Sequence, residues 1–387
     1  VRDAVIVDAV RTPIGKRSGS LSDTHSADLS ATVLRALIER TGLDPSLIDD
    51  VIWGCVGQVG DQSFNIARVT VLSAGWPDTV PATTVDRQCG SSQQSVHFAA
   101  AGLISGQYDF VVAGGVENMT RIPMGATASS GYAGTHNEPF GPTFFTRYHR
   151  RPHQGLGAEM VAQRWTLSRQ QLDEFALQSH ERAAATTDSG AFADELTPVL
   201  LPDGSYFGAD EGIRRNGTLQ TLGALRPAFD PDNGKITAGN SSQISDGAAA
   251  LLLTTSANAA THGLRPLARI QTAVVAADDP VIMLTAPIPA TEAALKKSGL
   301  RIEDIGAFEV NEAFASVPLA WLGETKAEPA ALNPNGGAIA LGHPLGGSGA
   351  RLMTTLVHHM QRQGTDYGLQ TMCEGGGMAN ATILERL

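Results

Sequence analysis

The sequence predicts an α/β protein made of two similar halves, each a βαβαβ unit, with a long insertion following the first half. Three observations carry this. The stretch Ala36-Leu37-Ile38-Glu39-Arg40-Thr41-Gly42-Leu43 reads like Ala293-Ala294-Leu295-Lys296-Lys297-Ser298-Gly299-Leu300, and Ile48/Ile305, Gly90-Ser91/Gly347-Ser348 and Asp109/Asp366 share the same offset of 257 residues. Matched points at one offset, spread over two halves, mark a duplication. Within each half, short apolar runs alternate with stretches of helical period. Roughly 119–245 has no counterpart in the repeat.

In the first half, the apolar runs predict strands near 5–7, 51–53 and 110–113, and the 3.6-residue patterns predict helices near 29–40 and 91–105. The second half repeats the scheme, with strands near 307–310 and 369–373 and helices near 291–298 and 348–361. The expected domains are an N-terminal half over 1–118, completed by 246–265, a loop domain over 119–245, and a C-terminal half over 266–387. The insertion opens with Gly125, Gly131, Gly134, Pro139, Gly141 and Pro142 and carries Arg147, His149, Arg150, Arg151 and His153. Residues 158–165 then read as helix, and Ser168-Arg169-Gln170-Gln171 has the capping-box pattern of another helix start. An insertion after a strand end lies over the sheet layers, a natural place for substrate contacts.

A chain of 387 residues exceeds one core of ordinary size, so two or three domains are expected. With 28 Lys and Arg against 39 Asp and Glu, the net charge of −11 disfavours a general nucleic-acid binder. The three cysteines, an odd number in a long chain, argue against a disulfide framework and for a reducing compartment. No apolar run approaches the roughly 20 residues of a membrane span, and the N-terminus lacks signal-peptide order. A cytoplasmic location follows as the expectation.

Cys89 sits in Val85-Asp86-Arg87-Gln88-Cys89-Gly90-Ser91-Ser92, where a strand-like stretch gives way to small residues and a helix. A thiol at the first turn of a helix meets the positive end of the helix dipole, which favours the thiolate and makes a nucleophile. The repeat sets Gly346 opposite Cys89 and puts His343 three residues earlier. If the two helix starts face one another across a pseudo-dyad, His343 comes near Cys89, as a Cys/His pair requires. Asn311-Glu312-Ala313-Phe314, Gly342-His343-Pro344 and Cys373-Glu374-Gly375-Gly376-Gly377 all fall at expected strand ends or Gly-rich turns, where α/β sheets place their chemistry. The ordinary alternatives are an inert core thiol, the reading adopted for Cys55, a strand-end cap for Asn311, and a surface loop for His153. The dispersed Cys and His residues show no paired ligand spacing, so no metal is expected.

These segments, with Val7-Asp8-Ala9-Val10-Arg11-Thr12-Pro13-Ile14-Gly15, Thr237-Ala238-Gly239-Asn240-Ser241-Ser242, Asp246-Gly247-Ala248-Ala249-Ala250 and Asn335-Gly336-Gly337-Ala338-Ile339-Ala340, make a specific set. Through them the chain resembles the thiolase family over essentially its whole length. The resemblance implies a duplicated α/β fold of five layers (αβαβα) and a homodimer or homotetramer. It implies acyl exchange between coenzyme A thioesters, with coenzyme A as co-substrate, no tightly bound cofactor, and no nucleic-acid or membrane partner.

By the family pattern Cys89 is the nucleophile, His343 its base, and Cys373 the acid or base acting on the acetyl-CoA carbanion. His343 and a water held by Asn311 receive the enolate oxygen, and the backbone N–H groups of Cys89 and Gly375 receive the tetrahedral oxyanion. Ser242 and His153 match coenzyme A contacts, and Arg214 and Arg215 match a region at its nucleotide end, although an arginine pair in a polar loop is commonly just solvated surface.

Three places depart from the pattern, one of them Ala379-Asn380, which replaces a smaller, glycine-containing ending. Ser92 stands where many members have glycine, and Glu374 where apolar residues are common; pointing inward, its carboxylate would raise the Cys373 pKa. The segments around Cys89 and Ser242 look closer to actinobacterial degradative thiolases, some of which act on bulky steroid side-chain thioesters, whereas His153 leans towards the biosynthetic type. The reading is therefore cleavage of a 3-ketoacyl-CoA, with acetoacetyl-CoA synthesis as the alternative. A decarboxylating ketoacyl synthase would want a histidine in place of Asn311. A silent acyl-CoA binding protein would bind the thioester without acylating Cys89.

Overall fold

A computed structural model describes residues 2–129 and 138–387. Gly131 and Gly134, read above as part of a loop, lie outside them.

The strands that matter are β1 (Val5–Arg11), β2 (Asp50–Gly54), β3 (Ala82–Val85), β4 (Phe110–Asn118), β5 (Ser245–Thr254), β6 (Ala268–Ala277), β7 (Ala307–Val310), β8 (Tyr367–Glu374) and β9 (Met378–Arg386). They are ordered β7-β8-β9-β6-β1-β5-β4-β2-β3, and the short strand Gly15–Lys16 pairs beside β5. The strands of the two halves are joined where β1 pairs with β6, through Val5 with Arg269 and Ile6 with Ala268.

The duplication is visible element by element. β2 and β7 begin at Asp50 and Ala307, β4 and β8 at Phe110 and Tyr367, and the helices after Gly90 and Gly347 at Ser91 and Ser348, each pair displaced by the offset seen in the sequence. Helices α1 (Ser26–Thr41) and α2 (Pro287–Ser298) end together in the repeat as well. Both are closed by a left-handed glycine, Gly42 at φ 67° and Gly299 at φ 76°, as a helix C-terminus favours.

Strand alternation sorts side chains into layers. On β5, Ala248, Ala250 and Leu252 face one core, while Ala249, Leu251 and Leu253 face another. The second of these is the middle layer. There the helices Ser91–Ser105 and Ser348–Gln363 bring Val96, Ala99, Ala100 and Leu103 together with Ala350, Met353, Leu356 and Val357 between the sheet halves. α1 covers the outer face of the first half and α2 that of the second, which completes the five layers. Both faces of β4 and β5 are buried, so most of each reads as a continuous apolar run with no polar face.

Two strands of the second half, β6 and β9, were not anticipated in the sequence, nor was the helix Ser316–Thr325. β6 and β9 pair antiparallel along nearly their full lengths, and β8 turns into β9 through Gly375-Gly376-Gly377. That three-residue turn needs left-handed backbone at Gly376 (φ 88°) and Gly377 (φ 78°). The insertion contributes the helices Gln154–Arg164 and Arg169–Asp188, the latter with its capping box formed by Ser168 and Gln171. Among the described residues, no helix is long and apolar enough to cross a membrane.

Candidate active site

The two helix starts of the middle layer are in contact. Ser92 Oγ accepts the Ala350 N–H at 2.9 Å, so the serine at this glycine-rich position caps an otherwise unpaired amide in the first turn of the opposing helix. The loop before that helix lies against the strand ends of the first half. A Cβ added at Gly54 would stand 2.7 Å from Gly346 O, and one at Gly115 only 2.2 Å from it, so both positions require glycine.

Glu117, at the end of β4, fastens this approach. Its carboxylate accepts N–H groups from Val56 (3.0 Å), Gly57 (2.9 Å) and Gly346 (2.9 Å) and the Gln62 amide at 2.7 Å. Glu117→Ala would leave several buried donors unpaired at the seam between the halves. We expect about 3–5 kcal/mol of lost stability in urea unfolding, the cost of breaking a buried charged network.

Cys89 lies two residues before the helix, not in its first turn, with Gly90 as the capping residue. Gln88 takes a left-handed conformation (φ 49°), and the Ser91 hydroxyl ties the turn by donating to Gln88 O (2.6 Å) and accepting Arg87 N–H (2.9 Å). The expectation of a thiol lowered by the helix dipole is overturned. Burial and the neighbouring Glu374 carboxylate push the Cys89 thiol up to about 12. The backbone N–H groups of Cys89 and Gly375 act on the sulfur and pull the other way, but they do not prevail. A resting thiol of this kind gives up its proton only to a base within the site.

His343 is buried and fits that role. Its Nδ1 lies 2.6 Å from Ser348 Oγ, and the Ser348 hydroxyl donates in turn to Pro344 O at 2.8 Å. Ser348 therefore accepts, the proton sits on Nδ1, and Nε2 keeps its lone pair. The Asn311 amide nitrogen stands 3.4 Å from Nε2. Burial, then the charge of Arg351, lower the His343 pKa to about 3, so the ring is neutral at physiological pH.

Cys373 stands one residue before the end of β8 and is also buried; burial first and the proximity of Cys89 next raise its thiol well above the ordinary range. Glu374 points inward, as the direction of its effects on both thiols requires. Asn311 is fixed by its N–H to Thr371 O at 3.1 Å, and its buried side-chain oxygen has no partner.

Three positioning residues escaped the sequence reading. Glu312 accepts from Ser179 Oγ (2.6 Å), Asn333 Nδ2 (2.9 Å) and Ile339 N (3.1 Å), which binds the loop before His343 to the insertion. Glu117 and Ser348 are the others. An acidic residue closing a run as apolar as β4 was the available signal for Glu117, and the Ser91 match in the repeat was the signal for Ser348.

The coenzyme A candidates are more scattered. Ser242 donates its backbone N–H to Ala313 O at 2.9 Å, beside the Asn311 loop. His153 is exposed, caps the helix Gln154–Arg164, and meets Phe229 edge-on at 5.5 Å; Phe229 in turn meets Phe314 at 5.9 Å. A cavity of about 480 Å³ opens beside His153, with Arg150, Arg151, Met160 and Lys235 in its wall. None of Cys89, His343 or Cys373 lines it. Arg214 is held by its backbone N–H to His180 Nδ1, and Arg215 forms a surface ion pair with Asp188 at 2.7 Å. Neither arginine is brought to the thiols by a contact seen here. Among the described residues, no group of three or more His, Cys, Asp or Glu could hold a metal ion.

Residues 4–257 match the family model of the thiolase N-terminal domain, and residues 264–386 that of the thiolase C-terminal domain. The chain belongs to the thiolase family. This thiolase is 50% identical to the steroid 3-ketoacyl-CoA thiolase FadA6 of Mycobacterium tuberculosis, over 100% of this chain and 94% of that protein. It is 46% identical to a 3-ketoacyl-CoA thiolase of Erwinia tasmaniensis, over 99% of both. The crystal structure of the Bacillus anthracis acetyl-CoA acetyltransferase superposes with a TM-score of 0.92 at 36% identity, covering 100% of this chain and 99% of that one. As a thiolase the chain is an acyltransferase enzyme.

Proposed function

We propose that the enzyme cleaves a 3-ketoacyl-CoA with coenzyme A, in the degradative direction, through an acyl group carried on Cys89. The observation that carries this reading is a pair of thiols, Cys89 and Cys373, close enough that the first raises the pKa of the second, together with a buried neutral histidine, His343, whose Nε2 carries no proton.

His343 Nε2 takes the Cys89 proton as the sulfur attacks the ketone carbon. The oxyanion meets the N–H groups of Cys89 and Gly375, each such donor contributing about 3 kcal/mol. The Cα–Cβ bond breaks, its electron pair stays on the acetyl-CoA carbon, and Cys373 protonates that carbon. The enolate oxygen is met by His343 and a water held by Asn311, whose unpartnered oxygen suits that role. The Cys373 thiolate then accepts the proton of incoming coenzyme A, which takes the acyl group, and His343 returns its proton to Cys89. Two thiols are needed because the first is acylated while the second handles the carbanion.

The Phe229, Phe314 and Ser242 surroundings, with His153, suit the pantetheine arm, and Arg150, Arg151 and Lys235 suit a phosphorylated ligand. Arg214 and Arg215 remain candidates for the nucleotide end. The likeness to a steroid 3-ketoacyl-CoA thiolase favours a bulky acyl group over a short one. β3 is the outermost strand of its sheet and leaves one edge unpaired, which supports a homodimer or homotetramer closed over that edge. The domain division proposed is 1–118 with 246–265, 119–245, and 266–387. Three free cysteines, two of them in the chemistry, suit a reducing cytoplasm.

Intact-protein mass spectrometry after brief incubation with acetoacetyl-CoA, a long-chain 3-ketoacyl-CoA and a steroid side-chain 3-ketoacyl-CoA tests the reading. The expected result is an acyl mass from the larger substrates. Loading by acetoacetyl-CoA alone would transfer the assignment to short-chain synthesis, and no adduct from any would overturn it.

A further inference from the structure

Glu374 is fully buried, and neither of its carboxylate oxygens has a hydrogen-bond partner. The contrast with Glu117 is plain, since that carboxylate is met by three backbone N–H groups and an amide. Nothing comparable offsets the desolvation of an anion at Glu374. The guanidinium of Arg87 stands 3.9 Å away, at the outer limit of an ion pair, and is partly exposed to solvent.

The Glu374 side chain also crosses from the end of β8 to the nucleophile turn. A Cβ added at Gly90 would fall 2.1 Å from Glu374 Oε1 and 2.8 Å from Asn380 Nδ2, so the carboxylate abuts the residue that follows Cys89. Asn380 uses its Nδ2 on Gly90 O at 3.1 Å, and its Oδ1 is unpartnered. Unpaired acceptors from Glu374 and Asn380 thus crowd one side of the nucleophile turn.

We propose that Glu374 is a positioning residue acting on Cys89: as the neutral acid it leaves the thiol free to ionise, and as the carboxylate it holds the thiol protonated. This rests on Cys89 being the nucleophile. Burial raises the Glu374 pKa to about 8, against a smaller lowering by Arg87, so the acid changes state just above neutrality. Each ionisable group around it has a defined part. On the nucleophile turn, Arg87 favours the Glu374 anion, and that anion opposes the ionisation of Cys89. Cys373, on its own strand, is opposed by it as well. Glu117, from β4, adds a weaker negative influence at Cys89. His97, in the middle layer near Arg87, has its pKa lowered to about 3 by burial and stays neutral, as does His343.

A glutamate that merely fills space would be replaced by glutamine with the same effect at every pH. A charge that governs Cys89 produces an effect that depends on pH. Iodoacetamide alkylation of Cys89, located by peptide mass and followed against pH, separates the two. The Glu374→Gln enzyme is expected to react at about the wild-type rate near pH 6 and about tenfold faster or more near pH 9.5, the effect of one pKa unit.

The wild type alone gives a second readout. Its rate is expected to climb with pH up to the ionisation of Glu374, to flatten over about one pH unit, and then to climb again, because the second anion is disfavoured but not forbidden. A rate ratio that does not change with pH, or a wild-type rate that climbs without a break, would overturn the proposal. Alkylation requires no acyl-CoA, so its outcome is distinguishable from a failure of Cys89 to acquire an acyl group in the mass-spectrometric experiment.

Discussion

Cys89→Ala is expected to eliminate the covalent acyl mass and to lower turnover by about four orders of magnitude or more, the scale of removing the nucleophile from a covalent catalyst. No other thiol can substitute. Cys373 is buried at the end of β8 and has the carbanion to handle, and Cys55 is buried beside Glu117, 4.0 Å from its Oε1. The change itself is mild for the fold, since Cys89 is only partly buried and alanine removes a single sulfur. Coenzyme A binding measured by calorimetry should persist. Turnover that survived with an intact acyl mass would move the nucleophile elsewhere, whereas lost binding would point to a disrupted turn.

Cys373→Ala should divide the reaction in two. Acetyl transfer from acetyl-CoA to Cys89 moves no proton at carbon; Cys373 only exchanges a proton with coenzyme A there, and a thiol that ionises at about pH 8.5 gives up its proton without that help, so the acetyl-enzyme should still form. Carbon–carbon bond cleavage and condensation both require a proton to move at the acetyl-CoA carbon, so both should fall by about three orders of magnitude, within the range of losing a general acid–base group. Acetyl-enzyme detected by mass, together with lost thiolysis of a 3-ketoacyl-CoA, is the expected pair of results. Loss of both half-reactions would show that Cys373 supports the nucleophile itself, the two sulfurs being near enough for Cys89 to raise the Cys373 pKa.

Much of this site was legible because duplication writes geometry into sequence. The offset that matches Gly90 with Gly347 put the two helix starts opposite one another, and Ser92 Oγ accepting Ala350 N–H is that juxtaposition in atoms. β2 and β7 were readable as apolar runs; β6 was harder, because its residues alternate between buried and half-exposed, and Val275 is exposed. β9 begins in the small polar run Met378-Ala379-Asn380-Ala381-Thr382, whose burial depends on the strands it joins. No periodicity within nine residues reports neighbours 100 positions away.

The charge states were less legible than the positions. Cys89 was placed correctly before a helix, yet its thiol is raised, because desolvation and two carboxylates, Glu374 above all, outweigh two backbone N–H groups. Glu374 stood out in the sequence as an unusual neighbour of Cys373, but only packing against Gly90 turns it toward Cys89. By itself the sequence determined the family, the duplicated α/β architecture and the candidate reacting groups, because motif spacing and apolar periodicity are local and survive being read in one dimension. The tertiary structure decided which groups are desolvated, which tautomer His343 holds, and which carboxylates are satisfied. Those quantities depend on the atoms that replace water around each group, and these come from distant parts of the chain.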